Sequence, residues 1–172
     1  MKVGYQLAFA RFARFAPFAL LCMAACSSDG DGSTGSVDST TIASTPLSGK
    51  ADGKPWTFVN GWTDAFLSEG EPNYWAALYA ESLTSCSGIP DNKQPELLMN
   101  LPRQPGTYKL SLQLNATFAI ARASNDTDNL VATKGKLVID EVTATQVRGG
   151  AFVEYDANNS VNGQFQIAVC PD

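Results

Sequence analysis

Apolar and polar residues alternate along much of the chain between residues 47 and 172. The clearest example is residues 108–114, where Tyr108, Leu110, Leu112 and Leu114 share one face and the three residues between them are polar. Successive side chains of a strand point to opposite faces, so a period of two is typical of a strand with one buried face. The pattern predicts a half-buried strand over residues 108–114.

Shorter runs of this kind follow one another, and turn-forming residues separate them. The runs cover residues 56–58, 75–79, 117–121, 137–139, 147–155 and 165–169, and residues 97–99 form an apolar run of unassigned type. The turn signals are Asp52-Gly53, Pro105-Gly106 and the polar stretches 125–129 and 156–159. No stretch combines a helical period with helix caps. The sequence predicts an all-β domain over residues 46–172, a single antiparallel β-sandwich of roughly eight to ten strands, with a calycin-like β-barrel as the alternative.

The first 25 residues carry the features of an export signal. They contain three basic residues and no acidic one, and an apolar run occupies residues 15–25. This run is too short to span a bilayer, since a spanning helix needs about 20 residues. A basic start, a short apolar core and small residues before a break predict a secretory signal peptide over residues 1–25.

A cysteine follows this apolar run directly. Residues 23–26 read Met-Ala-Ala-Cys and resemble the lipobox of bacterial lipoproteins, which implies that Cys26 becomes the N-terminus and carries a lipid. Met occupies the position where that motif usually has Leu. Ser27, and not Asp, follows the cysteine, and the resemblance to Gram-negative lipoproteins then implies the outer membrane. The alternative is an ordinary signal peptide cleaved near Ala25, with Cys26 a plain thiol.

Residues 26–45 separate the signal peptide from the alternating region. After Cys26 they are rich in Ser, Thr, Gly and Asp, and they contain no aromatic residue. Such a stretch cannot bury enough apolar surface to offset the entropy lost on ordering. The sequence predicts a flexible, lipid-anchored linker with a mean reach of roughly 25 Å.

The charge balance excludes several classes of function. The chain has 12 Lys and Arg against 17 Asp and Glu, a net charge of −5, and removal of residues 1–25 with their three bases lowers it to −8. Nucleic-acid binders need a basic surface. Anionic membranes repel an acidic domain, so only the lipid is expected to hold the protein at the membrane. The absence of His excludes Ser-His-Asp and Cys-His catalytic sites and His-containing metal sites.

Two cysteines remain beyond the lipidation site. Cys86 and Cys170 are 84 positions apart, and an exported chain meets an oxidising compartment, where disulfides form. We therefore expect a Cys86–Cys170 disulfide. The alternative is a pair of buried thiols, or one reactive thiol.

Aromatic residues are concentrated between positions 56 and 79, which include all three Trp. Such side chains can fill a core or form a surface that stacks on sugars or apolar ligands. We expect Trp56, with Phe58 on the same sheet face, and Trp75, with Tyr79 on the same sheet face, to be core. Trp62 lies between Gly61 and Thr63-Asp64, outside a clean alternation. It is expected to be the most exposed Trp and is the candidate ligand-facing aromatic residue.

No residue pattern identifies a catalytic, cofactor or metal site. The acidic residues are scattered, as at Glu69, Glu71, Asp126 and Asp128, and surface solvation explains them most simply. A glycosidase needs two carboxylates about 5–10 Å apart across a cleft, and the spacing of these acids does not indicate such a pair. No Walker loop, Gly-x-Ser-x-Gly elbow or Cys-x-x-Cys motif occurs. The sequence predicts no catalytic residue, no cofactor and no metal, and therefore no enzyme.

Three short segments resemble one group of proteins. Residues 47–56 (Leu-Ser-Gly-Lys-Ala-Asp-Gly-Lys-Pro-Trp), 106–108 (Gly-Thr-Tyr) and 161–165 (Val-Asn-Gly-Gln-Phe), the last shortly before Cys170, look like parts of uncharacterised bacterial lipoprotein domains. The resemblance implies an all-β lipoprotein. That family has no assigned activity, so no functional residue can be carried over to this chain.

These observations favour a lipid-anchored cell-envelope protein that is a non-enzymatic binding or structural module. A lipocalin-like carrier of a small apolar ligand is one alternative, and an envelope polysaccharide-active enzyme with paired carboxylates is another. The expected partners are the membrane, through the lipid, and an envelope protein, a glycan or an apolar ligand, with no nucleic acid. The sequence indicates no oligomeric state.

Overall fold

A computed structural model describes residues 41–90, 94–123 and 126–171 of the chain. Cys26, the signal peptide and residues 26–40 of the predicted linker lie outside these ranges. The described part is all-β, as predicted, and contains eleven strands and one helical turn. They are β1 (Ser48–Ala51), β2 (Lys54–Thr57), β3 (Asn60–Asp64), α1 (Ala65–Ser68), β4 (Asn73–Tyr79), β5 (Glu96–Pro102), β6 (Gly106–Lys109), β7 (Ala116–Ala121), β8 (Thr127–Ala132), β9 (Lys134–Val142), β10 (Gln146–Asp156) and β11 (Asn159–Ala168).

All eleven strands belong to one hydrogen-bonded sheet. Nine of them follow the order β6-β9-β10-β11-β3-β4-β5-β7-β8, and β1 joins β11 to β2. Neighbours are antiparallel except β11 and β3, which pair in parallel at Ala168 and Trp62. The sheet curls strongly into a half-barrel, and a single sandwich is not confirmed.

The concave side of this sheet holds the core. Strand alternation sends one side chain in two inward, as in β7, where Ala116, Phe118 and Ile120 are buried. The largest fully buried side chains come from β4, β5, β7, β9, β10 and β11 and from the residue before β1: Leu47, Leu78, Leu97, Met99, Leu101, Phe118, Leu137, Ile139, Val147, Val153, Val161 and Ile167. Side chains from all parts of the curled sheet thus meet in one apolar cluster.

The Asp52-Gly53 signal is confirmed as the turn of the β1–β2 hairpin. Asp52 has φ 55° and Gly53 has φ 73°, the left-handed pair that a two-residue turn of this kind requires. The Asp52 amide donates to Asn159 Oδ1 at 2.8 Å, and the Gly53 amide donates to the Asn158 carbonyl at 3.0 Å. The hairpin is therefore tied to the turn between β10 and β11.

The predicted strand over residues 108–114 is only half correct. Strand β6 ends at Lys109, and Leu112 is 75% exposed. The Leu114 amide donates to Ser111 Oγ at 3.1 Å, and Asn115 Nδ2 donates to the Leu112 carbonyl at 2.9 Å. These local side-chain bonds close a turn that competes with extended pairing, and the alternating pattern alone does not reveal them.

The predicted Cys86–Cys170 disulfide is present, with an S–S distance of 2.03 Å. It joins the loop after β4 to the chain end after β11. The Cys170 amide also donates to Thr63 Oγ1 on β3 at 3.0 Å. Both ends of the bond are thereby held beside the β3–β4 region, which carries the aromatic residues.

Residues 41–45, the last of the predicted linker, contact β11 through hydrogen bonds. Asn162 Oδ1 accepts from the Ala43 amide at 2.9 Å, and Asn162 Nδ2 donates to the Thr41 carbonyl at 3.1 Å. Gln164 Nε2 donates to the Ala43 carbonyl at 2.9 Å. The chain therefore enters the folded part along the convex side of β11. Within the described residues, no helix has the length and apolar character to cross a bilayer.

Candidate functional site

The registers of β3, β4, β5, β7 and β8 define an outward sheet face, which we call the aromatic face. Antiparallel partners point to the same side, so Trp62 opposite Ala77, Leu98 opposite Ala77, and Thr117 opposite Leu98 form one row across the sheet. The face consists of Asn60, Trp62, Asp64, Trp75, Ala77, Tyr79, Glu96, Leu98, Asn100, Thr117, Ala119, Ala121, Thr127, Asn129 and Val131. The residues between these positions on β4, β5 and β7 point into the core.

Trp62 and Tyr79 form the centre of the aromatic face. Their ring centroids are 4.7 Å apart and the planes are tilted by 38°. Tyr79 is 7% exposed and Trp62 is partly exposed. Burial, followed by the negative charges of Glu96, Asp64 and Glu81, raises the pKa of Tyr79 to about 12. The Tyr79 hydroxyl therefore stays protonated and able to donate a hydrogen bond at every physiological pH.

The expectation that Trp75 is core and that Trp62 is the most exposed Trp is wrong. Trp75 is 41% exposed, whereas Trp56 is 2% exposed and lies in the core. Strand β4 directs Ala76 and Leu78 inward, so its opposite phase, with Trp75, Ala77 and Tyr79, faces outward. The prediction that Trp75 and Tyr79 share a face is confirmed. Trp56 and Phe58 also point to the same side, since Trp56 lies in the core and Phe58 packs against the core.

The backbone of Trp75 is fixed by the turn α1. Ser68 is 4% exposed, and its Oγ accepts from the Trp75 amide at 3.0 Å. Arg103 donates to the Ser68 carbonyl, and its guanidinium lies 4.1 Å from the centroid of the Tyr74 ring. The exposed indole therefore projects from a rigid backbone.

Polar groups surround the aromatic side chains. Asn60 Nδ2 donates to the Leu83 carbonyl at 2.5 Å, while Asn60 Oδ1 and Asn100 Oδ1 are covered atoms without a hydrogen-bond partner among the described residues. Burial, and then the charge of Glu81, raises the pKa of Glu96 above its ordinary value. The polar groups around the rings are thus mainly acceptors, and two of them lack a donor.

A cavity of about 390 Å³ adjoins the Glu96 end of the face. Glu96, Gln94, Ala119, Arg122 and Thr127 are among its lining residues. Arg122 donates to Asp128 at 2.7 Å and to Asp52 at 3.1 Å. Two carboxylates thus compensate the charge of this guanidinium, so it offers little attraction for an anion.

Two further clefts lie elsewhere on the described part of the molecule. One, of about 270 Å³, includes Ser68, Tyr74, Arg103 and Cys170. The other, of about 570 Å³, is a shallow surface depression that includes Phe58 and Phe165. Neither is lined by a residue of the aromatic face.

Charge is distributed unevenly between the two halves of the sheet. The residues that define the aromatic face include Asp64 and Glu96 and no Lys or Arg. The outward side of β6, β9 and β10 carries the bases Lys109, Lys134, Lys136 and Arg148, with the acids Glu141 and Glu154 opposite Arg148 and Lys134. Within residues 41–90, 94–123 and 126–171, no group of three or more Asp, Glu or Cys is placed to hold a metal ion.

Neither the sequence nor the fold of this chain matches a family model, a curated protein or a solved structure. The geometry of its own surface is therefore the basis for inferring its function.

Sequence reasoning identified Trp62 but not the rest of the aromatic face. It assigned Trp75 to the core and did not single out Asn60, Asn100 or Glu96. The signal was present in residues 75–79, where Ala76 and Leu78 alternate with Trp75, Ala77 and Tyr79. Each of these two sets of residues is apolar enough to form a core. Only the pairing of β4 with β3 and β5 shows which set faces inward.

Proposed function

We propose that this chain is a lipid-anchored protein of the bacterial cell envelope, held at the outer membrane through Cys26, and that it binds a ligand on the aromatic face without catalysing a reaction. The export signal and the lipobox-like residues 23–26 support the anchoring. The disulfide agrees with an oxidising compartment. The resemblance to uncharacterised bacterial lipoprotein domains agrees with the same proposal.

One observation carries the binding function: two of the three Trp side chains, Trp62 and Trp75, lie on the outward face and not in the core. Trp75 is 41% exposed beside the partly exposed Trp62. Exposing an indole forgoes the free energy that its burial would give, about 25 cal/mol per Å² of apolar area. Contiguous exposed aromatic surface on a protein is a mark of contact with a ligand or partner.

The filled interior favours a surface binder over a lipocalin-like carrier. Such a carrier keeps an internal cavity for its ligand. Here Leu47, Phe118 and Leu137 are among the inward side chains with 0–1% exposure. For the fold, we propose a sandwich-like closure in which β8 lies against β10, supported by the contact between these strands.

Fractionation of a Cys26→Ser variant tests the anchor. The parent protein is expected in the membrane fraction and the variant in the soluble exported fraction, because the variant cannot receive the lipid. Equal membrane association of both proteins would contradict the anchoring.

Protection of single cysteines from a maleimide reagent tests the binding surface. Val131→Cys reports on the aromatic face, since Val131 is 43% exposed there, and Thr107→Cys on the exposed outward side of β6 is the matched control. In permeabilised envelopes, Val131→Cys should be labelled more slowly than in the purified protein, while Thr107→Cys is labelled equally in both. Equal labelling of Val131→Cys in the two settings would contradict the proposal.

A further inference from the structure

We propose that the ligand of the aromatic face is an uncharged glycan chain. This inference rests on the proposed binding function of that face and adds the chemical class of the ligand. It follows from the combination of exposed indoles, unpartnered acceptor oxygens and the absence of bases on the defined face.

The two indoles suit the apolar side of sugar rings. Trp62 is opposite Ala77 in the register, and Trp75 is two residues from Ala77 on β4, so the indoles are diagonal neighbours about 7–8 Å apart at the backbone. Ala77 lies between them in the register and carries only a methyl group. The face of an aromatic ring is electron-rich and attracts the weakly positive C–H bonds that one side of a pyranose presents.

The surrounding oxygens suit the hydroxyl groups of sugars. Asn100 is partly exposed, but its Oδ1 is covered and has no donor among the described residues. The terminal torsion of Asn is broad, so rotation can present this oxygen to a ligand at low cost. The carboxylates of Asp64 and Glu96 are further acceptors on the same face. A ligand with many O–H donors matches this set.

Charge argues against an anionic ligand. The defined residues of the aromatic face include two acids and no base, and the mature chain carries −8. A sulfated or phosphorylated polymer would be repelled by this surface.

The size of the face argues against a protein partner. The face is formed by fifteen residues, three from each of five strands. A stable protein interface uses about 20–30 residues on each partner. A patch of this size instead accommodates a few sugar units of one extended chain.

Intrinsic Trp fluorescence of the purified full-length lipoprotein provides the binding test. The uncharged probes are oligosaccharides of glucose, mannose and N-acetylglucosamine, and dextran is compared with dextran sulfate. At least one uncharged probe should bind, and dextran sulfate should not bind more tightly than dextran. Failure of every uncharged probe, or a preference for dextran sulfate, would overturn the inference.

Three variants locate the binding. Trp75→Ala should weaken binding of the active probe about tenfold or more, as expected for an aromatic anchor. Asn100→Ala should also weaken it without lowering the melting temperature, because Asn100 Oδ1 has no hydrogen-bond partner among the described residues. Tyr155→Ala is the matched control, since Tyr155 is 48% exposed on β10, outside the aromatic face. Equal affinities of Trp75→Ala and Tyr155→Ala would overturn the inference.

The labelling experiment separates this inference from the proposed function. Protection of Val131→Cys in envelopes without binding of any uncharged probe would reject the glycan and keep the binding surface. If Val131→Cys is not protected in envelopes and no uncharged probe binds, the proposed function itself is rejected.

Discussion

Tyr79 lies on the outward side of β4, yet Trp62 and its other neighbours leave only 7% of it exposed. Its surroundings are acidic, with Glu96, Asp64 and Glu81 each opposing ionisation of the phenol. The residue therefore behaves as a buried hydroxyl on a surface that is otherwise accessible. The raised pKa of Tyr79 is therefore a measurable property of the aromatic face.

Spectrophotometric titration at high pH should detect Tyr79. Its pKa in the folded protein is raised to about 12 from the ordinary value of 10.0, so the folded state holds this proton more tightly than the unfolded state. The resulting stabilisation is complete below pH 10 and is lost as the pH rises from 10 towards 12. The parent should show one late-titrating tyrosine that Tyr79→Phe lacks. A late phase of equal size in both proteins would contradict the assignment.

At the scale of elements, the short turn α1 holds the backbone of Trp75 in place. Ser68 connects the turn to β4 by accepting from the Trp75 amide, and Arg103 holds the Ser68 carbonyl. Asp64 caps the turn by accepting from the Leu67 amide at 2.8 Å. Three separate segments thus fix a helix of four residues that could not be stable alone.

Replacement of Ser68 tests this arrangement. Ser68→Ala leaves the part-buried Trp75 amide without its acceptor, which should lower the free energy of unfolding by about 1–3 kcal/mol. Ser87→Ala, at an exposed serine, should change it by less than about 0.5 kcal/mol. Urea denaturation measures both. Equal midpoints for Ser68→Ala and the parent would show that the Ser68 hydroxyl does not stabilise the turn.

The elements also show what the alternating pattern can predict and where it stops. The pattern identified most of the strands whose inward side chains form the core. Asp52-Gly53 predicted the turn of the first hairpin. Both signals are local in the sequence. Strand β3 was missed because Gly61 and Asp64 interrupt its apolar run. The end of β6 was missed because Ser111 and Asn115 form side-chain bonds to a turn. The outward phase of Trp75 depends on pairing with distant strands, which no local pattern contains.

At the scale of the whole molecule, the described part of the chain folds as one curled sheet whose last strand is tied to the loop after β4. The Cys86–Cys170 bond closes a separation of 84 residues. Sequence reasoning predicted this bond from the export signal and the number of cysteines alone, without any knowledge of the fold. The curl of the sheet, by contrast, arises from the register of all its strands together.

Removal of the disulfide should destabilise the whole fold. In the chain-entropy model, opening a loop of this length costs about 4–5 kcal/mol. The double variant Cys86→Ser/Cys170→Ser should therefore unfold at a clearly lower urea concentration than the parent. The Cys26→Ser variant, which keeps the bond, is the control and should unfold with the parent. An unchanged midpoint for the double variant would contradict a stabilising role.

Thermal unfolding of two variants tests directly whether the Trp residues are divided between the core and the aromatic face. Trp56 is 2% exposed and Trp75 is 41% exposed. Trp56→Ala should cost about 3–5 kcal/mol and lower the melting temperature by about 10 °C or more. Trp75→Ala should melt within a few degrees of the parent, because a half-exposed indole contributes little to the core. A Trp75→Ala variant as unstable as Trp56→Ala would place Trp75 among the residues that hold the fold and would contradict the aromatic face as a binding surface.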